Sequence, residues 1–421
     1  MVRLHEFQGK QLLKSAGIMV AAGDVASSRE ETRKISETIK KPVAIKAQVW
    51  TTGRFKAGGI RFAFTSEEAE SLSNELLSTH IKGFKVEKVL IEEKLDIEHE
   101  FYVGIIINDS FRVRSPVIIF SMEGGVDIEE IAKKSPNKIV SYPIDYLDGI
   151  NRKIAQELVS KLNIESDLVD PLSKVIIGLY DVFTKYNARA VEINPLVLTR
   201  DRQIYAADCR ITIDDNSIFC HPEFGIKVPR DMPRTPTKLE ELAWKIEEGD
   251  YRGTGYFTQM ITEFKEGETY IGLHGIGGGG AMLAASALLT HGFKIANYAD
   301  TSGDPPASKV YRVIKIIFMQ PIDTYVLMGS CLANQEQWHH AHAIVRALNE
   351  ELIDRPGFPV LLLLAGNREK ESHEIIKNGL KTLPIRWELY GRDYVYQTDF
   401  ICARVKALVD DYLAEKGDEG G

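Results

Sequence analysis

The chain has 421 residues, of which 44% are hydrophobic and 27% are charged, and its formal net charge is −8. Such a composition is typical of a globular protein with a sizeable core, and the length predicts two or three domains. Because the acidity is mild and no basic run occurs, nucleic-acid binding is not expected. The first ten residues are polar and no segment approaches about 18 consecutive apolar residues, so neither a secretory leader nor a membrane span is expected. We therefore predict a cytoplasmic protein.

The four cysteines, Cys209, Cys220, Cys331 and Cys402, are sparse and are not paired at the short spacings of metal ligands. This usage favours reduced thiols over a disulfide framework. Cys220 is followed by His221, but no second pair accompanies them, so a zinc site is not predicted.

A candidate phosphate-binding loop follows a short predicted helix that ends at Gly17. Residues 41–49 form an apolar strand that carries Lys46, and the glycine-rich loop after it contains Gly53 and Arg54. Glycines let a loop fold closely over phosphate groups, whose charge the neighbouring cations can balance. The spacing matches neither a Walker A loop nor a Rossmann fingerprint, so a plain glycine-rich hairpin is the alternative.

Two strong β runs come next, at 89–94 and 100–107, and they carry Glu92 and Glu100 near a polar bend. An extended strand can offer its backbone N–H and C=O groups to an adenine edge, while Glu100 can reach a ribose hydroxyl. Exposed acids at strand ends are the alternative for both glutamates. Residues 122–129 then end a strand, form a turn and begin a helix.

A hairpin is predicted from two apolar strands, 190–198 and 204–207, which are interrupted by three oxygen-bearing side chains, Glu192, Asn194 and Asp208. Mg²⁺ prefers oxygen ligands and usually takes only one or two carboxylates, together with water and substrate phosphates. Asn194 and Asp208 are therefore candidate metal ligands. A surface hairpin with solvated acids is the alternative.

Three prolines between residues 228 and 236 indicate a boundary, and we predict a first domain over 1–228, a linker over 229–264 and a second domain over 265–421. Strands and helices alternate through the second domain. This alternation predicts a doubly wound parallel sheet with ligands at the carboxyl ends of its strands.

Two strand ends of the second domain are candidate anion sites. The first leads into Gly278, Gly279 and Gly280 and then into a helix, and the second leads through residues 329–334 into another helix. A helix N-terminus carries about half a unit of positive charge, which favours a carboxylate or a phosphate. An ordinary capped helix without a ligand is the alternative.

Four histidines in this domain are candidates for chemistry. His339, His340 and His342 lie within one helical turn, and we predict that they are exposed helix residues rather than metal ligands. His274 directly precedes the first glycine loop.

Four motifs, taken in chain order, resemble those of the ATP-grasp β subunit of succinyl-CoA synthetase and its relatives. They are His5-Glu6-Phe7-Gln8, Lys46 with Gly53-Arg54 and residues 56–59, the segment 123–129, and Glu192-Ile193-Asn194-Pro195-Leu196. The resemblance covers nearly all of the first 220 residues. It implies an α/β protein with an N-terminal ATP-grasp fold, followed by a flavodoxin-like doubly wound parallel-sheet CoA-ligase domain.

The resemblance also implies roles for the candidate residues. It implies that Lys46, Gly53 and Arg54 bind the ATP phosphates. It also implies that Glu92 and Glu100 lie near the adenosine. Asn194 and Asp208 would bind Mg²⁺. Glu192 would be the catalytic residue that faces a phosphohistidine on an α-type partner subunit, which would also carry most of the CoA site. After Asp208 this chain has Cys209-Arg210, where the succinyl enzymes continue with Gly-Lys.

The second half of the chain differs from the succinyl enzymes at the acid site. The succinyl enzymes have Gly-Gly-Ile-Val-Arg at this position, and its arginine pairs with a substrate carboxylate. Residues 330–334 of this chain read Ser-Cys-Leu-Ala-Asn instead. They resemble the Gly-Ser-Ile-Ala-Asn of ATP-citrate lyase. Residues 295–305 also resemble the citrate enzymes. Against this, Leu363 and Leu364 occupy the positions of paired arginines in citrate lyases. The favoured hypothesis is a subunit that forms citryl-CoA from citrate, CoA and ATP; succinate or a related dicarboxylate is the alternative.

The expected acid-binding residues lie at glycine loops and strand ends of the second domain: Gly278, Gly279, Gly280, Asn297, Ser302, Ser330, Ala333, Asn334 and Arg368. Because the implied histidine belongs to the partner, the chain is expected to be catalytically incomplete alone and to act in a hetero-oligomer. A non-enzymatic nucleotide-sensing chain is a third hypothesis. The presence of Lys46, Arg54, Asn194 and Asp208 argues against it.

Overall fold

The structure is a computed structural model that describes residues 2–51, 53–125, 128–226, 234–247, 256–303, 305–330 and 336–418. The chain divides into two compact units, Met1–Thr235 and Pro236–Gly421. The described helices do not include one that is long and apolar enough to cross a membrane.

The described part of the first unit contains helices and strands with the following bounds. The helices are α1 (Glu6–Ser15), α2 (Arg29–Ile39), α3 (Ser66–Leu77), α4 (Ile128–Lys134), α5 (Arg152–Ser160) and α6 (Ser166–Lys185). The strands are β1 (Val2–Arg3), β2 (Gly23–Ala26), β3 (Val43–Ala47), β4 (Ile60–Ala63), β5 (His80–Ile81), β6 (Phe84–Lys85), β7 (Val89–Glu93), β8 (Ile97–Asn108), β9 (Ser115–Ser121), β10 (Ile139–Pro143), β11 (Ala188–Thr199), β12 (Ile204–Ala206) and β13 (Cys209–Ile213).

These strands form two main antiparallel sheets. The larger has the order β1-β13-β11-β8-β9-β10, with β12 paired to β11, and the smaller has the order β2-β7-β3-β4. Helix α6 covers the larger sheet, because apolar residues three and four apart, such as Leu172, Ile176 and Leu179, share one buried face. Burying each such side chain stabilises the unit by about 1.5–3 kcal/mol.

The described part of the second unit alternates helices and strands. The helices are α7 (Lys238–Glu247), α8 (Gly278–Thr290), α9 (Ala307–Phe318), α10 (Trp338–Leu352), α11 (Glu369–Leu380) and α12 (Thr398–Asp418), and the strands are β14 (Tyr256–Gln259), β15 (Tyr270–His274), β16 (Lys294–Asp300), β17 (Thr324–Ser330), β18 (Pro359–Leu364) and β19 (Arg386–Tyr390).

The sheet of the second unit has the order β14-β16-β15-β17-β18-β19. Neighbouring strands are parallel, except that β14 pairs with β16 in the antiparallel sense. The five parallel strands follow the flavodoxin-like order 2-1-3-4-5, which confirms the predicted doubly wound fold. Strand β18 is buried throughout, as expected of a strand covered on both faces.

Part of the predicted linker 229–264 belongs to the second unit. Helix α7 buries Ala243 and Ile246 in the core, and β14 extends the sheet. Thr237 and Glu240 form a capping box, since each accepts the other's backbone N–H through its side chain, at 3.3 and 2.7 Å. The second unit therefore begins at Pro236, within the predicted linker.

Candidate functional site

Six charged side chains meet inside the first unit, where α1 faces β3, β7 and the end of β12. Glu6 and Lys10 lie one turn apart on α1 and therefore share a face. Lys46 on β3 and Glu92 on β7 lie on one face of the smaller sheet, because Lys46 is paired with Leu90 and side chains two residues apart on a strand point the same way. The group is completed by Arg54 from the loop after β3 and by Asp208 from the segment between β12 and β13.

The two lysines of this cluster share their partners. Lys46 Nζ lies 3.1 Å from Glu6 Oε1 and 2.5 Å from Glu92 Oε1, and it donates a hydrogen bond to the Ala207 carbonyl at 2.5 Å. Lys10 Nζ lies 3.0 Å from Glu6 Oε1 and 2.5 Å from Glu92 Oε2, and it donates to the same carbonyl at 2.8 Å. The lysines and glutamates therefore form one network.

Arg54 joins this network to Asp208. One guanidinium nitrogen donates to both carboxylate oxygens of Asp208, at 2.7 and 2.8 Å, and lies 2.6 Å from Glu6 Oε2. Another nitrogen donates to the Ala47 carbonyl at 3.0 Å. Arg54 thus connects a buried carboxylate with a partly exposed one.

The cluster contains three positive and three negative groups, so its charges balance without a ligand. Burial by itself would raise the pKa of Glu6, but Arg54, Lys46 and Lys10 outweigh it and hold that pKa well below its ordinary value. Burial would lower the pKa of Lys46, but the surrounding carboxylates, Glu6 first, raise it above its ordinary value. Burial raises the pKa of Asp208, although Arg54 opposes the change.

A second set of polar contacts adjoins the cluster. The backbone N–H of Asn194 donates to the Asp208 carbonyl at 3.1 Å, and Asn194 Oδ1 accepts the N–H of Gly125 at 2.7 Å. Gly125 has φ +71°, and a Cβ atom there would lie 2.2 Å from Glu100 Oε2. Glu100 and Asn194 therefore converge on Gly125, whereas the carboxylate of Glu92 is engaged by the two lysines.

The loop after β3 folds back on the strand that precedes it. The N–H of Gly59 donates to the Arg54 carbonyl at 2.7 Å, and the N–H of Ala47 donates to the Gly59 carbonyl at 2.8 Å. Gly53 has φ +67°, a conformation that glycine adopts readily. Glu192 is placed on β11, opposite Arg210 of β13 and Gly104 of β8.

The second unit has a cleft of about 580 Å³ at the start of α8. Its lining residues are Tyr256, Gly278, Met282, Tyr298, Asp300, Ser302 and Gly303. Asp300 Oδ1 accepts the backbone N–H groups of Gly277 at 3.0 Å and Ser302 at 2.8 Å, and thus ties the two loops together. Burial raises the pKa of Asp300.

Several expected acid-binding residues do not lie in this cleft. Asn297 is fully buried: its side chain donates to the Leu273 carbonyl at 2.8 Å and accepts from Gln320 at 3.0 Å, so its role here is structural. Because successive strand side chains alternate, Tyr298 and Asp300 face the cleft while Asn297 lies on the opposite face of β16. Arg368 pairs with Glu336 and Glu371.

Three other expected acid-binding residues fall where the structure gives no side-chain description. Ala333 and Asn334 lie outside the described residues, and so does the side chain of Ser330.

Comparison with known proteins supports one family. Residues 3–198 match the sequence model of the ATP-grasp domain. The chain is 34% identical over 376 residues to the β subunit of the GDP-forming succinate–CoA ligase of Thermus thermophilus, covering 89% of this chain and 93% of that one. The β subunit of the ADP-forming enzyme of Methanothermobacter thermautotrophicus has the same identity and coverage. This chain belongs to the succinate–CoA ligase β-subunit family.

A solved structure of another protein resembles this chain over both units. The ATP citrate lyase of Methanothrix soehngenii, solved with citrate and coenzyme A, has a TM-score of 0.76 at 20% identity, covering 95% of this chain and 99% of that one. At this identity the likeness concerns the fold. It agrees with the predicted ATP-grasp fold followed by a parallel-sheet domain.

Two residues of the first site were missed in the sequence. Glu6 and Lys10 are both buried, at 5% exposure each, yet from the sequence Glu6 was used only as part of a family motif and Lys10 was given no role. A signal was present, because charges four residues apart on a helix that also buries Leu13 lie on or beside its apolar face. Buried charges of this kind are paired or functional.

Two histidines of the second unit are buried rather than exposed. His340 was predicted to be exposed, which is wrong: it has no exposed surface, and its ring nitrogens contact Gln337 Oε1 at 2.9 Å and the Pro305 carbonyl at 3.1 Å. His274 is equally buried.

Proposed function

We propose that this chain is the nucleotide-binding β-type subunit of an ATP-dependent acid–CoA ligase. The observation that carries the proposal is the cluster of Lys46, Arg54 and Asp208 in the ATP-grasp unit of a chain from this family. Lys46 and Arg54 are the cations for the ATP phosphates, and Gly53 lets the loop approach them closely. Glu100 contributes near the adenosine.

The donor set beside the phosphate cations fits Mg²⁺. Asn194 Oδ1, on β11, and the Asp208 carboxylate, between β12 and β13, are hard oxygen donors, and both already accept hydrogen bonds. Among the described residues there is no cluster of three or more His, Cys, Asp or Glu that could hold a metal. Asn194 and Asp208 would therefore hold the ion together with nucleotide phosphates and water. When bound, it would neutralise phosphate charge during phosphoryl transfer.

We place the nucleophile of the reaction on another chain. His274 and His340 are fully buried and hydrogen-bonded through both ring nitrogens, so neither can meet a phosphate in this arrangement. The relatives are named as β subunits, which supports a hetero-oligomer. We therefore propose that an α-type partner supplies a phosphohistidine, which Glu192 faces, and most of the CoA site.

The acid is proposed to be succinate or a similar dicarboxylate. The motifs at 295–305 and 330–334 favour citrate, but the relatives that match most of the chain at 34% identity are succinate–CoA ligases, so the alternative is the better supported. Leu363 and Leu364 are buried, and Arg368 is paired with glutamates.

A substrate comparison tests the proposal. The chain is combined with its α-type partner, ATP, Mg²⁺ and CoA, and kcat/KM is measured for succinate and for citrate. We expect a higher value for succinate. Preference for citrate would overturn the acid assignment alone, whereas a lack of acid-dependent ATP consumption with every dicarboxylate and tricarboxylate would contradict the ligase function.

A further inference from the structure

Glu6 contacts every cation of the buried cluster. Its Oε1 lies 3.0 Å from Lys10 Nζ and 3.1 Å from Lys46 Nζ, and its Oε2 lies 2.6 Å from the Arg54 guanidinium. Glu92, by comparison, contacts the two lysines. Glu6 is therefore the carboxylate that couples Lys46 to Arg54, the two cations assigned to the ATP phosphates.

Exposure separates Glu6 from Asp208, the other carboxylate at Arg54. The side chain of Glu6 is 2% exposed, whereas that of Asp208 is 29% exposed. A phosphate that arrives from solvent can reach the Asp208 end of Arg54 and compete for its N–H groups, but it cannot reach Glu6. Asp208 is thus the exchangeable partner of Arg54, and Glu6 is the permanent one.

The charge balance changes when Asp208 is exchanged. When Asp208 releases Arg54, three cations remain paired with two carboxylates, which leaves one unit of positive charge unpaired at Arg54. That excess charge suits a phosphate group. The geometry still depends on Glu6, because a buried cation that loses its partner moves or becomes costly to bury.

We propose that Glu6 is a positioning residue for nucleotide binding, which holds Lys46 and Arg54 at a fixed spacing and stays paired with both when phosphates replace Asp208 at Arg54. The inference rests on the proposed function and deepens it. Glu6 itself does not touch the nucleotide.

Substitution of Glu6 by glutamine separates positioning from charge competition. Glu6→Gln removes a negative charge near the phosphates, which by simple electrostatics would strengthen nucleotide binding. It also places an amide N–H₂ group where Lys10, Lys46 and Arg54 present only donors. If Glu6 positions the cations, the second effect prevails and binding weakens.

The experiment is calorimetric titration of the full chain with ATP in EDTA, so that metal binding does not contribute. We expect about tenfold weaker binding for Glu6→Gln, the loss of about one charge-assisted contact. Asp208→Asn should instead bind metal-free ATP more tightly than the natural chain, because the competitor for Arg54 is removed. Glu240→Gln is the matched control, since this fully buried carboxylate accepts backbone N–H groups in the second unit.

If Glu6→Gln binds one ATP per chain as tightly as the natural chain or more tightly, the positioning role is overturned. If the natural chain itself fails to bind ATP, the proposed function is contradicted instead. Should Glu6→Gln not fold, Glu6→Asp keeps the charge but is shorter by one methylene group. It should bind ATP more weakly than the natural chain, and equal affinity would overturn the inference.

Discussion

At the scale of single residues, burial decides what His274 can do. Its Nδ1 lies 2.6 Å from Tyr325 Oη, and its Nε2 lies 3.1 Å from Thr301 Oγ1. Burial, with a smaller effect of His340, lowers the pKa of His274 from 6.5 to about 3. The ring is therefore neutral, and it connects β15, β17 and the segment after β16 as a structural hydrogen-bonding group.

The stability of the protein should depend on pH through His274. Between pH 6.5 and 3 the unfolded state binds the proton and the folded state does not, so the free energy of unfolding falls as the pH falls. From pH 7 to pH 5 this contribution is about 2 kcal/mol. Urea unfolding at both pH values should show a smaller loss for His274→Gln than for the natural chain, whereas His80→Gln at an exposed position should match the natural chain. Equal losses in all three proteins would contradict the assignment.

At the scale of elements, α8 begins in direct contact with the backbone of β17. A Cβ atom at Gly280 would lie 1.9 Å from the Gly329 carbonyl oxygen, and Gly329 has φ +103°. A Cβ atom at Gly279 would meet nothing within 4 Å. Of these neighbouring glycines, Gly280 is required by packing and Gly279 is not.

This difference predicts opposite effects of two alanine substitutions. Gly280→Ala forces α8 away from β17 and should lower the free energy of unfolding of the second unit by about 2–4 kcal/mol. Gly279→Ala should be neutral or stabilising by up to about 1 kcal/mol, because alanine restricts the unfolded chain. Thermal denaturation of both variants measures the effect. Similar melting temperatures would show that the close approach at Gly280 is relieved at little cost.

At the scale of the whole molecule, each unit has its own core and its own candidate site. The charge cluster of Lys46, Arg54 and Asp208 lies within Met1–Thr235, and the cleft beside Asp300 lies within Pro236–Gly421. In the proposed function, this chain binds the nucleotide and a partner supplies the histidine.

The division of labour predicts the behaviour of the purified chain. Alone, it should bind ATP by calorimetry and form no acyl-CoA with succinate, CoA and Mg²⁺, as judged by chromatography of the CoA esters. Addition of an α-type partner should restore acyl-CoA formation. Synthesis of succinyl-CoA or citryl-CoA by the single chain would refute the division, and His274 would then be the residue to replace.

The sequence by itself determined the features that depend on local pattern. Alternating apolar strands and helices predicted the parallel sheet of the second unit, because hydrophobic periodicity reports which face of each element is buried. Ordered motifs around Lys46, Arg54 and Asn194 predicted the ATP-grasp fold.

Only the tertiary structure decided which charges meet and which polar groups are buried. Arg54 and Asp208 are 154 residues apart in the chain, and Glu6 and Lys10 join them because α1 packs against β13 and α6. The same holds for His340, which is fully buried although the sequence predicted an exposed residue. The energy of a charge or a hydrogen bond depends on distance and on exclusion of water, and the spacing of residues along a chain specifies neither.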